Sequence, residues 1–179
     1  MAEKFFVIKL IVIGGGKAGQ RQFVEYIMNY NDHESINITS RLEGYSLKNI
    51  IYKNKKFQLE IWNFTVNERY ELLTKICSYD ADMIFIFYDI SDKKTFERAK
   101  HLIDLCTNNN NIFLIGNNYD LNFDDKKFDG MVSDGEVFEF ISENNISFAH
   151  ISTKEKYSNG INELLKNALD KYIKLKNIK

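Results

Sequence analysis

Proline is absent from this 179-residue chain, and cysteine, histidine and tryptophan are scarce, with two, three and one copies. No proline means no polyproline ligand and no proline-stiffened linker. The two thiols, Cys77 and Cys106, both stand in helix-patterned segments; they form no C-x-x-C pair and build no disulfide framework. That usage predicts a reducing, cytoplasmic setting. His33, His101 and His150 are scattered over a loop, a helix and a strand end, so no metal is assigned to them. An excess of one charge is lacking too: 24 Lys+Arg against 25 Asp+Glu leave a formal net charge of −1. General nucleic-acid binders carry a basic excess, so no nucleic-acid partner is expected. Long apolar runs are also missing. Phe5 to Ile13 is interrupted by Lys9 and is too short for a bilayer. Met1-Ala2-Glu3-Lys4 offers no glycine for myristoylation and Lys176-Asn177-Ile178-Lys179 no cysteine for prenylation, so no direct lipid anchor is expected.

What is present is enough apolar residue, 44%, to build a core, arranged in alternating strand and helix patterns. Lys4 to Ile13 reads as a strand that runs into Gly14-Gly15-Gly16, and Phe23, Val24, Ile27 and Met28 recur at helical spacing. Tyr45 to Tyr52 and Phe57 to Trp62 flank the turn-like Lys53-Asn54-Lys55, which predicts an antiparallel hairpin. Glu68 to Tyr79 reads as a helix, and Met83 to Tyr88 as a strand covered on both faces. Ser91 or Asp92 caps the next helix, whose inner face is Phe96, Ala99, Ile103 and Cys106. Ile112 to Ile115 is another buried strand, and Ser133 caps a short helix ending near Asn144. Ile146 to Ile151 is the last strand, and Ile161, Leu164, Leu165, Ala168 and Tyr172 are the stripe of a final helix.

This order predicts an α/β domain spanning residues 1–179, with about six mostly parallel strands, about five helices on both faces and one antiparallel hairpin strand at the edge. Ligands of such sheets bind beyond the carboxyl ends of the strands. The chemistry is therefore sought just after Ile13, Trp62, Ile90, Ile115 and Ile151.

After the first strand stands Gly14-Gly15-Gly16-Lys17-Ala18-Gly19-Gln20-Arg21. Gly14 and Gly19 keep the five-residue spacing of the phosphate-loop pattern G-x-x-x-x-G-K-[ST], which wraps backbone amides round an anion ahead of a helix N-terminus. Gln20 replaces the pattern's Lys and Arg21 its hydroxyl residue. Further along stand Ile61-Trp62-Asn63-Phe64-Thr65-Val66-Asn67-Glu68-Arg69, Gly116-Asn117-Asn118-Tyr119-Asp120 and Ile151-Ser152-Thr153-Lys154.

With these motifs in order over nearly its whole length, the chain resembles the Ras-superfamily small GTPases, most closely the Rab branch. The resemblance implies a Ras-like phosphate-loop G domain, GTP or GDP as ligand, and a setting in vesicle traffic. It assigns guanine-base binding to Asn117, Asp120, Ser152, Thr153 and Lys154, with Asn118 in place of a Lys. It assigns phosphate binding to Gly14, Gly16, Lys17, Ala18, Gly19, Gln20 and Arg21. The switch positions become Thr39 or Ser40, Asn63, Val66 and Asn67. Asn63 replaces the Asp that holds magnesium through water, Val66 the Gly that senses the γ-phosphate, and Asn67 the Gln that orients the attacking water. Tyr45 and Trp62 fall at two places of the Rab aromatic partner surface, so protein partners are expected on the switch and hairpin face; Cys77 or Ser78 falls at the third.

Loss of one preorganised electrostatic group commonly costs on the order of 100-fold in rate, and here several have changed at once. Hydrolysis by the usual mechanism is not expected, no catalytic residue is assigned, and the magnesium ligands are depleted. Either Lys17 or Arg21 is able to neutralise phosphate charge in place of metal. Three readings stay open: a degenerate interaction module with weakened or absent nucleotide binding, an atypical guanine-nucleotide switch, and a GTPase completed by a partner's residues.

Overall fold

In the computed structural model, residues 5–29, 39–42, 44–64, 71–106, 111–118, 130–153 and 159–178 are described. The strands are β1 (Phe6–Gly14), β2 (Thr39–Leu42), β3 (Tyr45–Tyr52), β4 (Lys55–Asn63), β5 (Met83–Asp89), β6 (Ile112–Asn117) and β7 (Ser147–His150). The helices are α1 (Gln20–Asn29), α2 (Glu71–Ser78), α3 (Lys93–Leu105), α4 (Asp134–Asn144) and α5 (Asn159–Leu175).

The strands form one sheet in the order β2-β3-β4-β1-β5-β6-β7. β3 is antiparallel to both neighbours, and the other neighbouring pairs are parallel. The sheet thus has seven strands, one more than the sequence reading, because Thr39–Leu42 pairs with β3. That addition moves the antiparallel strand one place in from the edge. Lys53 and Asn54 carry φ of 50° and 59°, the doubly left-handed turn whose twist suits a two-residue hairpin.

Alternate residues of β1 feed two cores. Ile8, Leu10 and Val12 meet Phe23 and Ile27 of α1 and Leu164 and Tyr172 of α5. Ile11 and Ile13 face the other way, toward Phe96, Ala99 and Ile103 of α3 and Val137 of α4. A buried Phe or Leu side chain stabilises the fold by about 1.5–3 kcal/mol through apolar burial, so these two layers hold the sheet. Caps set the helix ends. Asp92 accepts from the backbone N–H of Lys94 to start α3, and Ser133 forms a reciprocal capping box with Glu136 to start α4. On β3 the fully buried Lys48 reaches the carbonyl of Met28 in the last turn of α1, 3.5 Å away, a cation placed at the negative helix end.

The consequence for function is geometric. β1, β4, β5, β6 and β7 run the same way, so Gly14, Asn63, Asp89, Asn117 and His150 end on one rim of the sheet.

Candidate functional site

On that rim, β1 runs into the glycine turn and α1 begins at Gln20. Asn117, 1% exposed at the end of β6, ties this turn to the loop after β7. Its Nδ2 donates to the carbonyl of Ala18 at 3.1 Å and to Oγ1 of Thr153 at 3.2 Å; its Oδ1 accepts from the backbone N–H of Thr153 at 3.1 Å. Gly19, at φ +96°, makes room for this: a Cβ there would lie 1.9 Å from Nδ2 of Asn117. The structure therefore brings together Gly14, Gly16, Ala18, Gly19, Asn117 and Thr153, with the buried Ser152 beside them. Asp120 and Lys154 lie outside the described residues.

The polar and charged side chains of the turn are disposed as follows. Gln20 is only 5% exposed and folds back over the turn, its Nε2 3.5 Å from the carbonyl of Gly16. A neutral amide thus occupies the interior place. Arg21 points along the outer face of α1, with a side chain 84% exposed and Nε 3.5 Å from Glu25. In this orientation Arg21 pairs with the carboxylate one helical turn on, at the outer edge of the glycine turn to which the family resemblance assigned it. Lys17 is exposed on the turn and Ala18 buried beneath it.

Asn118, at φ +69°, donates from Nδ2 to Oδ2 of Asp89 at 2.7 Å. The other oxygen of Asp89 accepts from the backbone N–H of Ser91 at 2.8 Å and from its hydroxyl at 2.6 Å. The shorter side chain that replaces the motif's Lys is thus spent on fixing the neighbouring loop.

Of the switch positions, Asn63 ends β4, paired with Val12, and its backbone N–H donates to the carbonyl of Gly44 at 2.9 Å. Thr39 and Ser40 sit on β2, and their side chains lie outside the description. Val66 and Asn67 lie outside the described residues. At the aligned positions a guanidinium, Arg21, stands for the hydroxyl that would hold magnesium and a neutral amide, Asn63, for the carboxylate.

A second set of residues forms an aromatic face. Tyr45 and Trp62 lie opposite each other on β3 and β4 and meet edge-on, ring centroids 5.1 Å apart. Lys9 stands over the indole at 5.6 Å and is ion-paired to Asp80, directly after Tyr79. This lysine joins the aromatic pair to the end of α2. Among the described side chains of α2, Thr74 and Ser78 are buried, while Leu72 and Ile76, with Tyr79 just beyond the helix, are 70%, 60% and 73% exposed. Of the two residues at the third aromatic place, Cys77 is half-buried and Ser78 buried.

The first turn of α2 is held from α3. Oε1 of Glu71 accepts from Nη1 of Arg98 at 2.6 Å and contacts Nε2 of His101 at 3.0 Å. The guanidinium holds the Glu71 carboxyl below its ordinary range, with His101 adding to the effect. Sequence reasoning missed this cluster and the outward face of α2. The only available signal was that Leu72, Ile76 and Tyr79 share one helical face while Thr74 and Ser78 share another.

Elsewhere on the rim, Oη of Tyr88 lies 3.5 Å from Nε2 of His150. Burial pushes the phenol up and the imidazole down, the nearby Asp134 opposing the latter. Both are neutral near pH 7 and belong to the core beside the last loop.

Comparison with known proteins agrees with this layout. The Ras family model matches residues 9–174. The chain is 29% identical over 160 residues to the GTP-binding protein ypt3 of Schizosaccharomyces pombe, covering 86% of this chain and 71% of that one. It is 29% identical to the Ras-related protein Rab-21 of Geodia cydonium, covering 87% and 66%, respectively. It is 25% identical to a probable Rab-related GTPase of Acanthamoeba polyphaga mimivirus, covering 94% and 77%. The chain belongs to the Ras family and is a Rab-like small GTPase by sequence and fold.

Proposed function

We propose that this chain is a degenerate Rab-like G domain that works as a protein-interaction module, its surface no longer switched by GTP hydrolysis. The observation that carries the reading is α2, which turns Leu72, Ile76 and Tyr79 outward beside the Tyr45–Trp62 pair and buries its hydroxyl residues instead. A helix that hides Thr and Ser and shows Leu, Ile and Tyr is built to be covered by a partner. The phosphate side supports the same reading: Gln20 brings no charge and Arg21 is drawn off to Glu25. On this reading magnesium-dependent hydrolysis lacks the motif's lysine, where Gln20 stands, and its hydroxyl and carboxylate ligands, where Arg21 and Asn63 stand. Recruitment to a membrane, in vesicle traffic, would run through the partner; among the described residues no helix is long and apolar enough to cross one.

One observation favours the second reading, an atypical guanine-nucleotide switch. The staple Ala18–Asn117–Thr153 is complete and keeps the glycine turn and the base loop in register. Under this reading GTP or GDP would be held by backbone amides and base contacts without much help from metal.

Nucleotide content decides between them. The gently purified chain is denatured and its supernatant resolved by ion exchange against GDP and GTP standards, followed by calorimetric titration with and without magnesium. The first reading expects an empty protein that binds weakly or not at all. Near-stoichiometric guanine nucleotide would replace it with the second. Gln20→Lys with Arg21→Ser should tighten binding and make it magnesium-dependent; no change in either would overturn the alignment of the loop.

A further inference from the structure

The described residues place one side chain where the phosphate turn, α2 and α3 meet. Arg98 rises from α3 with its stem against the turn: a Cβ on Gly15 would lie 2.8 Å from its Cγ and 2.9 Å from its Cβ, so only glycine permits this approach. Its Nη1 ends on Glu71, the first residue of α2, at 2.6 Å. Both side chains are mostly covered, 23% and 28% exposed, and a charge-assisted bond in such surroundings is stronger than an exposed one. His101, one turn further along α3, reaches the same carboxylate oxygen at 3.0 Å. At the other end of α2, Lys9 of β1 grips Asp80. The helix is therefore pinned at both ends to elements that do not belong to it, and neither pin involves a nucleotide or a metal.

We infer that Arg98 is the positioning residue of the partner face: with Glu71 it latches α2, and so Leu72, Ile76 and Tyr79, in one place whatever the phosphate turn holds. The inference rests on the proposed interaction role and deepens it. In a hydrolysis-driven switch the helix beside the γ-phosphate site moves between loaded and unloaded states. Here its first turn is tied to α3, and the tie crosses over the glycine turn instead of through it. Such a latch gives a partner a pre-formed face and spares it the cost of ordering the helix.

Amide hydrogen exchange across α2 tests the latch. Glu71→Gln removes the charge at constant shape, and Arg98→Ala removes the whole side chain. Each should speed exchange of the α2 amides about ten-fold or more while α5 keeps its protection, because opening is local when a local tie is cut. The lone tryptophan, Trp62, reports the same event through increased quenching, since Lys9 couples it to the end of α2. In the unsubstituted chain, saturating GDP or GTPγS with magnesium should leave α2 exchange unchanged. Unaltered α2 protection in Glu71→Gln overturns the latch. So does a rise shared equally by α5, which would mark a global loss of stability, and so does a large nucleotide-induced change in the unsubstituted chain. The calorimetric titration keeps the two ideas apart: tight magnesium-dependent binding with α2 unmoved defeats the degenerate reading and leaves the latch standing. If no nucleotide binds, Glu71→Gln alone decides the latch.

Discussion

Truncating Asn117 separates what that residue does for the fold from what it does for a base. In the nucleotide-free chain Asn117→Ala removes three hydrogen bonds at a site that is 1% exposed. The Thr153 hydroxyl can rotate to another partner, but the Ala18 carbonyl and the Thr153 N–H cannot. A backbone group left without a partner costs about 1–3 kcal/mol when buried, as at Ala18, and about 1 kcal/mol at the half-buried Thr153, so the loss should be about 3 kcal/mol, within a span of ~2–4. For a domain of this size 1 kcal/mol shifts Tm by about 2–4 °C, which puts the expected drop at ~6–12 °C. Urea denaturation followed by far-ultraviolet circular dichroism and by Trp62 fluorescence measures it. Gly19→Ala should reproduce most of the effect from the opposite side, by driving a Cβ into Nδ2 of Asn117. Because both changes break one staple, the double variant should lose much less than the sum. A loss under about 1 kcal/mol for Asn117→Ala, or plain additivity with Gly19→Ala, would refute the staple.

Two further outcomes follow from charge and burial. Glu136 is held down to about 2, from an ordinary 4.5, first by Lys93 and then by the backbone and hydroxyl of Ser133. Its folded value lies below its unfolded one, so its contribution is complete above about pH 4.5 and is lost as pH falls toward 2. Glu136→Gln should therefore lower the urea midpoint near neutrality and match the parent near pH 2; a gap that does not close in acid would count against the Lys93–Glu136 pairing. Burial pushes the Cys106 thiol up to about 11, Ser78 offsetting a little. At about pH 8 a thiol reagent should label the half-buried Cys77 quickly and Cys106 only after unfolding, and equal rates in the native chain would show that α3 does not shield its last thiol.

The alternating elements were legible because their signals are local. β1 and β5 are runs with no polar interruption except Lys9, the Lys53-Asn54 turn carries a residue that tolerates left-handed φ, and Ser133 with Glu136 spells a capping box. β2 was not legible. Thr39-Ser40-Arg41-Leu42 has no alternation, and it becomes a strand because β3 offers an open edge to pair with. α2 was found as a helix, but its orientation was not. Spacing shows that Leu72, Ile76 and Tyr79 share a face without saying which side that face is on, and apolar faces point inward by default. The motif residues of the rim were readable one by one, since the pattern fixes which atom each should offer. Where a substituted side chain goes instead was not readable: Asn118 to Asp89, Arg21 to Glu25 and Arg98 to Glu71 depend on neighbours brought close by the fold or by the turn of a helix.

Those pairings also determine how a phosphate would fare at the glycine turn. Among the described residues two arginines stand near the turn, and each has a carboxylate: Arg21 is exposed and 3.5 Å from Glu25, Arg98 is mostly covered and 2.6 Å from Glu71. Breaking the first would cost little, because an exposed i,i+4 pair is worth only about 0.3–0.5 kcal/mol. Breaking the second would strand Glu71 in a half-covered site and release the first turn of α2 with it. An arriving phosphate therefore has Arg21, Lys17 and the backbone amides to bind, and wins Nη1 of Arg98 only by displacing Glu71. On the proposed latch, phosphate binding at the turn is weakly coupled to α2 unless the ligand is strong enough to compete with Glu71. That is the opposite of the coupling a hydrolysis-driven switch requires.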